Sequence, residues 1–528
     1  MRNIRTYADI KAARAAGELT SAEEKLITSS KLGRVCRFAY GPHPNPPTIG
    51  ADLLRYLITG GCEGCVVHDL GVQLAGAYVP EVLDLDYARA KGTTTLDHCH
   101  FEQKIYAHYC HFNTLSLEGS ALQQGLTAQG AVIVGNVFLR NGFSAKGCVD
   151  FNSTKIGGQL DCEAGQIEVT DGNALNAQNA QITGNVFLSE GFSAKGRVTL
   201  SGAKISGQLA CEGGRFDAEK GAALHLQNTQ AAYFFWRDVT EISGGLDLNG
   251  AHFDTLTDDP ESWERVTDLS LIGLTYTHIT NPGDTAKRVA WLGKGDRSNG
   301  EFSPQPYTQL AKVLRDMGHD HGARQVLLAK EERLAQAEKL RSLDRIAALK
   351  AEHAKPAFRK KSQQAQQNGQ VELAKLQEEK FFTTLWSGTL RRLVGYGYKP
   401  RLIFYWTGGI ILAMAVLSSL TYRLGGMVPN APVVLLSDEW GRAVIEFNPA
   451  EAWLATDAGQ HYETFCAFAY AADVFIPLVP LGQEVAWAPT TATRLGTVLW
   501  VLNWLVKLAG WFISALGAAA IAGVIRRE

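Results

Sequence analysis

Hydrophobic and polar positions alternate along this chain with two different periods. From about Val66 to Ile279 apolar residues recur at every second position in very short runs, as at Val186 and Leu188 or Leu246 and Leu248, with Gly and Asn between the runs. Period two sends one face of a strand inward, and Gly and Asn suit the corners where the chain turns. Upstream, Thr48 to Thr59 (TIGADLLRYLIT) sets Ile49, Leu53, Leu54 and Leu57 at helical spacing and stops at Gly60-Gly61, which predicts an N-terminal cap. Ser21 with Glu24 reads as the capping box of another short helix. Downstream, Tyr307 to Asp316 and Ala323 to Ala335 are helical by periodicity and break at Gly318-His-Asp-His-Gly322, so a helix pair is expected. His319 and His321 in that break are metal-ligand types, but the flanking glycines favour an exposed turn.

The strand region repeats itself. Gly135-Asn-Val-Phe-Leu139 and Gly142-Phe-Ser-Ala-Lys-Gly147 return as Gly184-Asn-Val-Phe-Leu188 and Gly191-Phe-Ser-Ala-Lys-Gly196, an offset of 49 residues. Lys155 to Glu163 returns as Lys204 to Glu212 at the same offset. Ile156, Ile182 and Ile205 each stand four residues before Leu160, Val186 and Leu209, which divides 49 into 26 and 23. Such lengths suit single coils of a solenoid, in which no coil buries its inward face alone and the ends need caps.

After residue 331 the character changes twice. Glu331 to Lys380 is rich in Lys, Glu, Gln, Ala and Leu, with breaks expected at Pro356 and Asn368-Gly369. This predicts solvated helices, or a coiled coil across protomers. Arg359-Lys360-Lys361 suits either a solvated face or contact with anionic headgroups. Leu402 to Thr421 then carries no charge, and Val498 to Ile525 is equally apolar apart from Asn503 and Lys507, with Trp500, Trp504 and Trp511 in its first half. About 20 residues at 1.5 Å each match a hydrocarbon core of about 30 Å, so two transmembrane helices are expected. Arg391, Arg392, Lys399 and Arg401 precede the first and Arg526-Arg527 follow the second, against Arg442 and Arg494 between them. That asymmetry places both termini in the cytoplasm.

Phe465 to Leu481 is apolar but short, holds Asp473 and is broken by Pro477 and Pro480, so it reads as a re-entrant or interfacial element. Asp473, Gln483, Glu484, Asn503 and Lys507 are the polar candidates of this region. Asp473 and Lys507 are read as lining a pathway or pairing with each other, or alternatively as Lys507 snorkelling and Asp473 facing interfacial water. Gly395-Tyr396-Gly397-Tyr398 resembles a potassium filter in letters only, because it precedes the first span. Gly517 to Gly523 (GAAAIAG) permits close helix packing and favours a homo-oligomer.

Composition narrows the chemistry. A net charge of −2 over 528 residues provides no basic field for nucleic acid. Met1 to Glu18 has charges every few residues and no signal-peptide core, so the first 400 residues are expected in the cytoplasm with the nine cysteines reduced. Cys62-Glu63-Gly64-Cys65 has the spacing of a redox or zinc half-site, but no second pair follows, and a structural turn is the preferred reading. His98, Cys99, His100, His108, Cys110 and His111 could gather zinc. The competing reading has Cys99 with Phe101 and Cys110 with Phe112 facing inward while the histidines face outward. No GxGxxG, Walker loop or haem CxxCH is found, and no catalytic residue or cofactor is assigned.

Leu117-Glu-Gly-Ser-Ala-Leu122, Ile156-Gly-Gly-Gln-Leu160 and Leu246-Asp-Leu-Asn-Gly-Ala-His-Phe253 resemble the pentapeptide-repeat-like solenoids of bacterial two-helix membrane proteins. The GYGY-Lys-Pro-Arg stretch, Tyr470 to Glu484 (YAADVFIPLVPLGQE) with Trp487 and Pro489, and Gly510-Trp511 to Arg527 resemble the C-terminal module of those proteins. Coils of 23 and 26 residues depart from a strict five-residue code, leaving a square cross-section or a looser β-helix open. The resemblance implies a multi-domain chain: a helical cap at 1–62, a right-handed β-solenoid at 63–283, a helix pair and charged linker at 304–381, and a membrane module at 382–528. In that module, spans at about 402–422 and 498–525 flank the segment at about 465–481. Relatives of this kind are often labelled membrane-associated oxidoreductases or channel-like proteins. The expected function is a membrane-anchored sensor or scaffold at the inner membrane. Its solenoid would bind a cytoplasmic protein partner, and its oligomeric membrane module would respond, ion permeation in stress or defence being one response. An oxidoreductase using the Cys and His cluster, and a passive anchor, are the alternatives.

Overall fold

The computed structural model describes residues 3–39, 46–298, 300–355, 363–399, 401–476 and 480–521. The chain forms two compact units, Met1–Lys330 and Glu331–Glu528. Pro356, Arg359 to Lys361, Pro477 and Arg526-Arg527 lie outside the described residues.

The first unit opens with helices Tyr7–Ala15, Ser21–Leu32 and Ala51–Ile58. The expected capping box sits one residue earlier than Ser21 and Glu24: Thr20 Oγ1 accepts from Glu23 N at 3.1 Å and Glu23 Oε2 accepts from Thr20 N at 2.9 Å. Burial decides this, because Glu23 points inward and its second oxygen accepts from Gly50 N at 3.0 Å, while Glu24 turns out to pair with Arg14.

The solenoid makes about nine turns with parallel pairing throughout. Leu115, Val137, Leu160, Val186, Leu209 and Phe234 stack in one column. The steps between Val137, Leu160 and Val186 are 23 and 26 residues, so the 49-residue repeat is two coils. Early coils carry four two-residue strands, as at His111–Phe112, Leu115–Ser116, Ala121–Leu122 and Leu126–Thr127. Later the columns merge into strands such as Gln166–Asn176, Ser193–Thr199 and Lys204–Ala210. Each coil is thus built from four short strands at first and from fewer, longer strands afterwards. Inward Val and Leu residues are fully buried, each contributing about 1.5–3 kcal/mol only once its neighbours are stacked.

The corners show why Gly and Asn punctuate the repeat. Asn179 and Asn228 hold φ of 54° and 55°, the left-handed region that Asn tolerates. On the following coils Gly202 and Gly250 take the same corner, and a Cβ there would stand 2.5 Å and 2.2 Å from the Oδ1 of Asn179 and Asn228. At these two corners the asparagine side chain therefore needs a glycine in the next coil.

The far end is closed by aromatic stacking and by side-chain amides. Phe192, Phe216, Trp236, Trp263 and Trp291 form a ladder with centroid spacings of 5.9, 6.2, 5.8 and 4.9 Å, ending on helices Pro260–Glu264 and Thr285–Lys294. Beside it the Arg288 guanidinium, 8% exposed, grips the carboxylate of Asp258. Gln305 accepts from Gly273 N at 2.9 Å and donates to Leu274 O at 3.0 Å, so helix Gln305–Asp316 supplies hydrogen bonds that a further coil would otherwise make. The interhelix break falls at 317–319, shorter than Gly318 to Gly322. His321 and Gly322 stand in the first turn of a helix that runs Asp320–Ala354 instead of ending at Ala335. His319 and His321 are both exposed.

In the second unit helix Gln363–Val394 passes through Asn368-Gly369 without a break. Strong helix formers around it outweigh the cost of about 1 kcal/mol for one glycine. Helices Arg401–Arg423 and Arg494–Ile521 follow, both long and apolar enough to cross a membrane. They run antiparallel: Gly517 lies against Ile403 at one end, and strands Met427–Pro429 and Trp487–Pro489 pair at the other. Gly517 therefore serves packing within the chain. The short helix Ala467–Phe475 packs against both, its Tyr470, Ala471, Val474 and Phe475 sharing a core with Ile411, Met414, Leu499 and Ile513. Nine residues reach only about 14 Å, half a hydrocarbon core.

Candidate functional site

The polar candidates of the second unit converge around helix Ala467–Phe475. Asp473 is buried, and its two oxygens accept from Leu481 N and Glu484 N, both at 2.8 Å. The two oxygens of one carboxyl group can each take an amide, which ties Leu481 and the short helix Gln483–Ala486 back onto the helix. Gln483 accepts from Cys466 N at 2.9 Å and donates to Glu463 Oε1 at 2.7 Å and Thr464 O at 3.1 Å. Asn503 donates to the Tyr470 hydroxyl at 2.7 Å, both groups being buried. Lys507 pairs with Glu484 and not with Asp473, each of whose oxygens holds an amide. Tyr470 and Glu463 complete the cluster and were not singled out from the sequence. The available signal was a tyrosine inside an apolar run, whose hydroxyl needs a partner when buried.

Close approach makes this cluster possible. A Cβ at Gly510 would fall 1.9 Å from Phe475 O, so only glycine lets the second apolar helix meet the end of the short one. Lys507 and Asn503 lie one and two helical turns before that contact and so face the same partner.

A second site lies on the solenoid. Ile167 and Leu175 are eight residues apart where the equivalent Ala194 and Val198 are four apart, and Phe216 to Leu224 repeats the eight. The four extra residues project outward as Val169–Gly172 and, 49 residues later, Ala218–Gly221, with the shorter coil at Lys195–Arg197 between them. The groove between these two fingers has a volume of about 670 Å³. Its walls carry Lys146, Lys195, Arg197 and Lys220 against Glu168, Asp171, Asp217 and Glu219. Along the stacked strands Lys146, Glu168, Lys195 and Asp217 alternate in sign, so the floor offers both charges side by side. Val169 folds over Gly196, where a Cβ would meet its Cγ2 at 2.3 Å, and Arg197 reaches beneath Gly221. The lengths 26 and 23 contained these fingers, but nothing in a one-dimensional pattern showed on which corner they stand.

The His and Cys residues of the first coils are placed separately. Cys99 and Cys110 are buried, with Phe101 and Phe112 two residues on, and burial pushes both thiols up to about 12, away from the thiolate a metal needs. His108 Nδ1 pairs with Asp86 at 2.8 Å and His100 with Glu102 at 3.3 Å, while His98 sits in a left-handed corner and His111 is exposed. Among the described residues no group of three or more His, Cys, Asp or Glu comes together as a metal-ligand set.

No family model, curated protein or solved structure matches this chain.

Proposed function

We propose that this protein is a membrane-anchored scaffold, its two apolar helices crossing a bilayer as a hairpin and its solenoid docking a protein partner in the groove between the fingers. The observation that carries the reading is the surface of those helices. Only 22% of the apolar stretch of the first and 17% of the second is buried, and Phe404, Tyr405, Leu412, Trp504, Leu508 and Trp511 stand out from them. The core helix of a water-soluble protein would bury that face, whereas hydrocarbon solvates it. Because the helices run antiparallel, both outer ends lie on one side, and the cationic Arg391, Arg392, Lys399 and Arg401 favour the cytoplasmic side. A solenoid groove with both signs of charge suits an extended peptide segment of mixed charge.

Topology is tested with an impermeant maleimide on whole cells expressing the protein. The exposed Cys466 reports the connector between the helices and Cys62 reports the solenoid unit. Labelling of Cys466 with Cys62 protected is expected, and the reverse pattern rejects the arrangement. For the response of the module we propose ion permeation by a homo-oligomer. Asp473, Glu484, Asn503 and Lys507 are polar groups in an otherwise apolar packing, and two helices of one copy enclose no pore. Liposome flux that depends on protein density and changes with Lys507→Met supports this, while equal leak from both proteins leaves a passive anchor.

A further inference from the structure

The CxxC motif is absorbed by neither site, and its geometry is distinctive. Gly61–Cys62 and Cys65–Val66 form an antiparallel hairpin in which Cys62 and Cys65 stand directly opposite each other across the Glu63-Gly64 turn. Opposed residues of an antiparallel pair lie about 4.5–5.5 Å apart at Cα, within the span of about 4.4–6.8 Å that a disulfide bridges. The hairpin is held from several sides. A Cβ at Gly61 would fall 1.9 Å from Cys65 O, and the Tyr7 ring lies over Gly64. Gly60 O accepts from Val67 N at 3.1 Å and Ser30 O from His68 N at 2.9 Å, tying the hairpin to the cap helices.

The two sulfurs differ in setting. Cys62 is partly exposed, and the Tyr56 hydroxyl lies 2.7 Å from its Sγ as donor, with the amides of Gly64, Tyr7 and Cys65 also directed to it. Cys65 is fully buried behind it. The Tyr56 hydrogen bond, reinforced by those amides, holds the Cys62 thiol below the ordinary value, whereas burial pushes Cys36, Cys65, Cys148, Cys162 and Cys211 up. Thiolate character together with access is what selects a thiol for exchange.

We propose that Cys62 and Cys65 form a reversible dithiol site that low-molecular-weight disulfides of the glutathione type oxidise, Cys62 attacking and Cys65 resolving. The Cys62 thiolate attacks one sulfur of the small disulfide, whose S–S bond breaks and releases one half as thiolate. The Cys65 thiol gives its proton to that thiolate and attacks the Cys62 sulfur, releasing the second half. One protein dithiol and one small disulfide thus become one protein disulfide and two small thiols, with atoms and electrons in balance. The oxidised hairpin links the two strands that join the cap to the first coil.

The test uses the full-length protein in detergent micelles, incubated with oxidised glutathione, alkylated with N-ethylmaleimide and digested with trypsin. The peptide Tyr56–Arg89 contains Cys62, Cys65 and no other cysteine. Its loss of both maleimide adducts, with a mass lower by two hydrogen atoms than the dithiol, is expected and is reversed by excess reduced glutathione. In Cys65→Ser a glutathione adduct accumulates on Cys62, and in Cys62→Ser none forms on Cys65. Tyr56→Phe slows the exchange about threefold, because the loss of thiolate outweighs the gain in intrinsic nucleophilicity. The proposal is overturned if the wild-type peptide keeps both adducts while the exposed Cys466 is glutathionylated, a result that needs no variant to fold. It is equally overturned if Cys62→Ser carries a glutathione adduct on Cys65.

Discussion

Removing Arg288 should loosen the last coils of the solenoid while leaving the first coils intact. Arg288 donates from both terminal nitrogens to Asp258, from Nη2 to Asn281 O at 2.5 Å and from Nε to Pro282 O at 3.1 Å, and neither member of the ion pair is accessible. Arg288→Met keeps the volume and strands the Asp258 carboxylate among Trp263, Trp291 and Tyr276. Breaking a buried pair from one side costs about 3–5 kcal/mol, which is a population change of about 100- to 5,000-fold at about 1.4 kcal/mol per decade. Amide hydrogen exchange read by mass spectrometry suits a quasi-one-dimensional fold, since coils far from the lesion are internal controls. Strands His252–Asp258 and Thr275–Ile279 should exchange faster by that factor, with Thr93–Asp97 unchanged. Asp258→Asn combined with Arg288→Met should recover most of the loss. Acceleration below about tenfold, or equal acceleration at Thr93–Asp97, would refute both the buried-charge argument and the local character of stacking.

Other outcomes follow from the same contacts. Lys507→Met should destabilise the helical unit by about 1–3 kcal/mol, less than a fully buried pair because both side chains are one-third exposed, and Glu484→Gln should rescue it in thermal unfolding in detergent. Gly510→Leu must push the second apolar helix off Phe475 O, costing about 1–3 kcal/mol, while Gly408→Leu, with open space around it, should be neutral by the same melting assay. Burial disfavours ionised Asp247, yet its bonds with the His225 imidazole at 3.2 Å and the Asn249 amide at 2.9 Å outweigh this and hold its carboxyl below the ordinary value. A carboxyl lowered on folding stabilises above its unfolded value and loses that contribution as pH falls through its folded value. His225→Asn should therefore flatten the stability decline below about pH 4 in acid titrations followed by exchange at Glu241–Asp247.

Some elements could be read residue by residue and others could not. The helix at Ala51–Ile58 and the two apolar helices agree with the sequence pattern because their signals are local: a 3.6-residue period, an uncharged run, a terminating glycine. The capping box was displaced by one residue because Thr20 and Ser21 are equivalent locally, and only the burial of Glu23 against Gly50 chooses between them. The helix through Asn368-Gly369 and the shortened break before Asp320 are further cases in which neighbouring helix formers override a single break signal.

What the residues alone determine here is periodic: the 49-residue duplication, coils of 23 and 26 residues, and apolar runs of bilayer length, all properties of order along the chain. What the tertiary structure decides is which residues become neighbours. Lys507 takes Glu484 while Asp473 holds two backbone amides, the four extra residues of alternate coils stand as two fingers around one groove, and Cys62 faces Cys65 with a tyrosine hydroxyl on its sulfur. The reason is physical: burial and hydrogen-bond competition act between groups many residues apart, and a polar side chain goes to whichever partner is still unsatisfied when the backbone has closed around it.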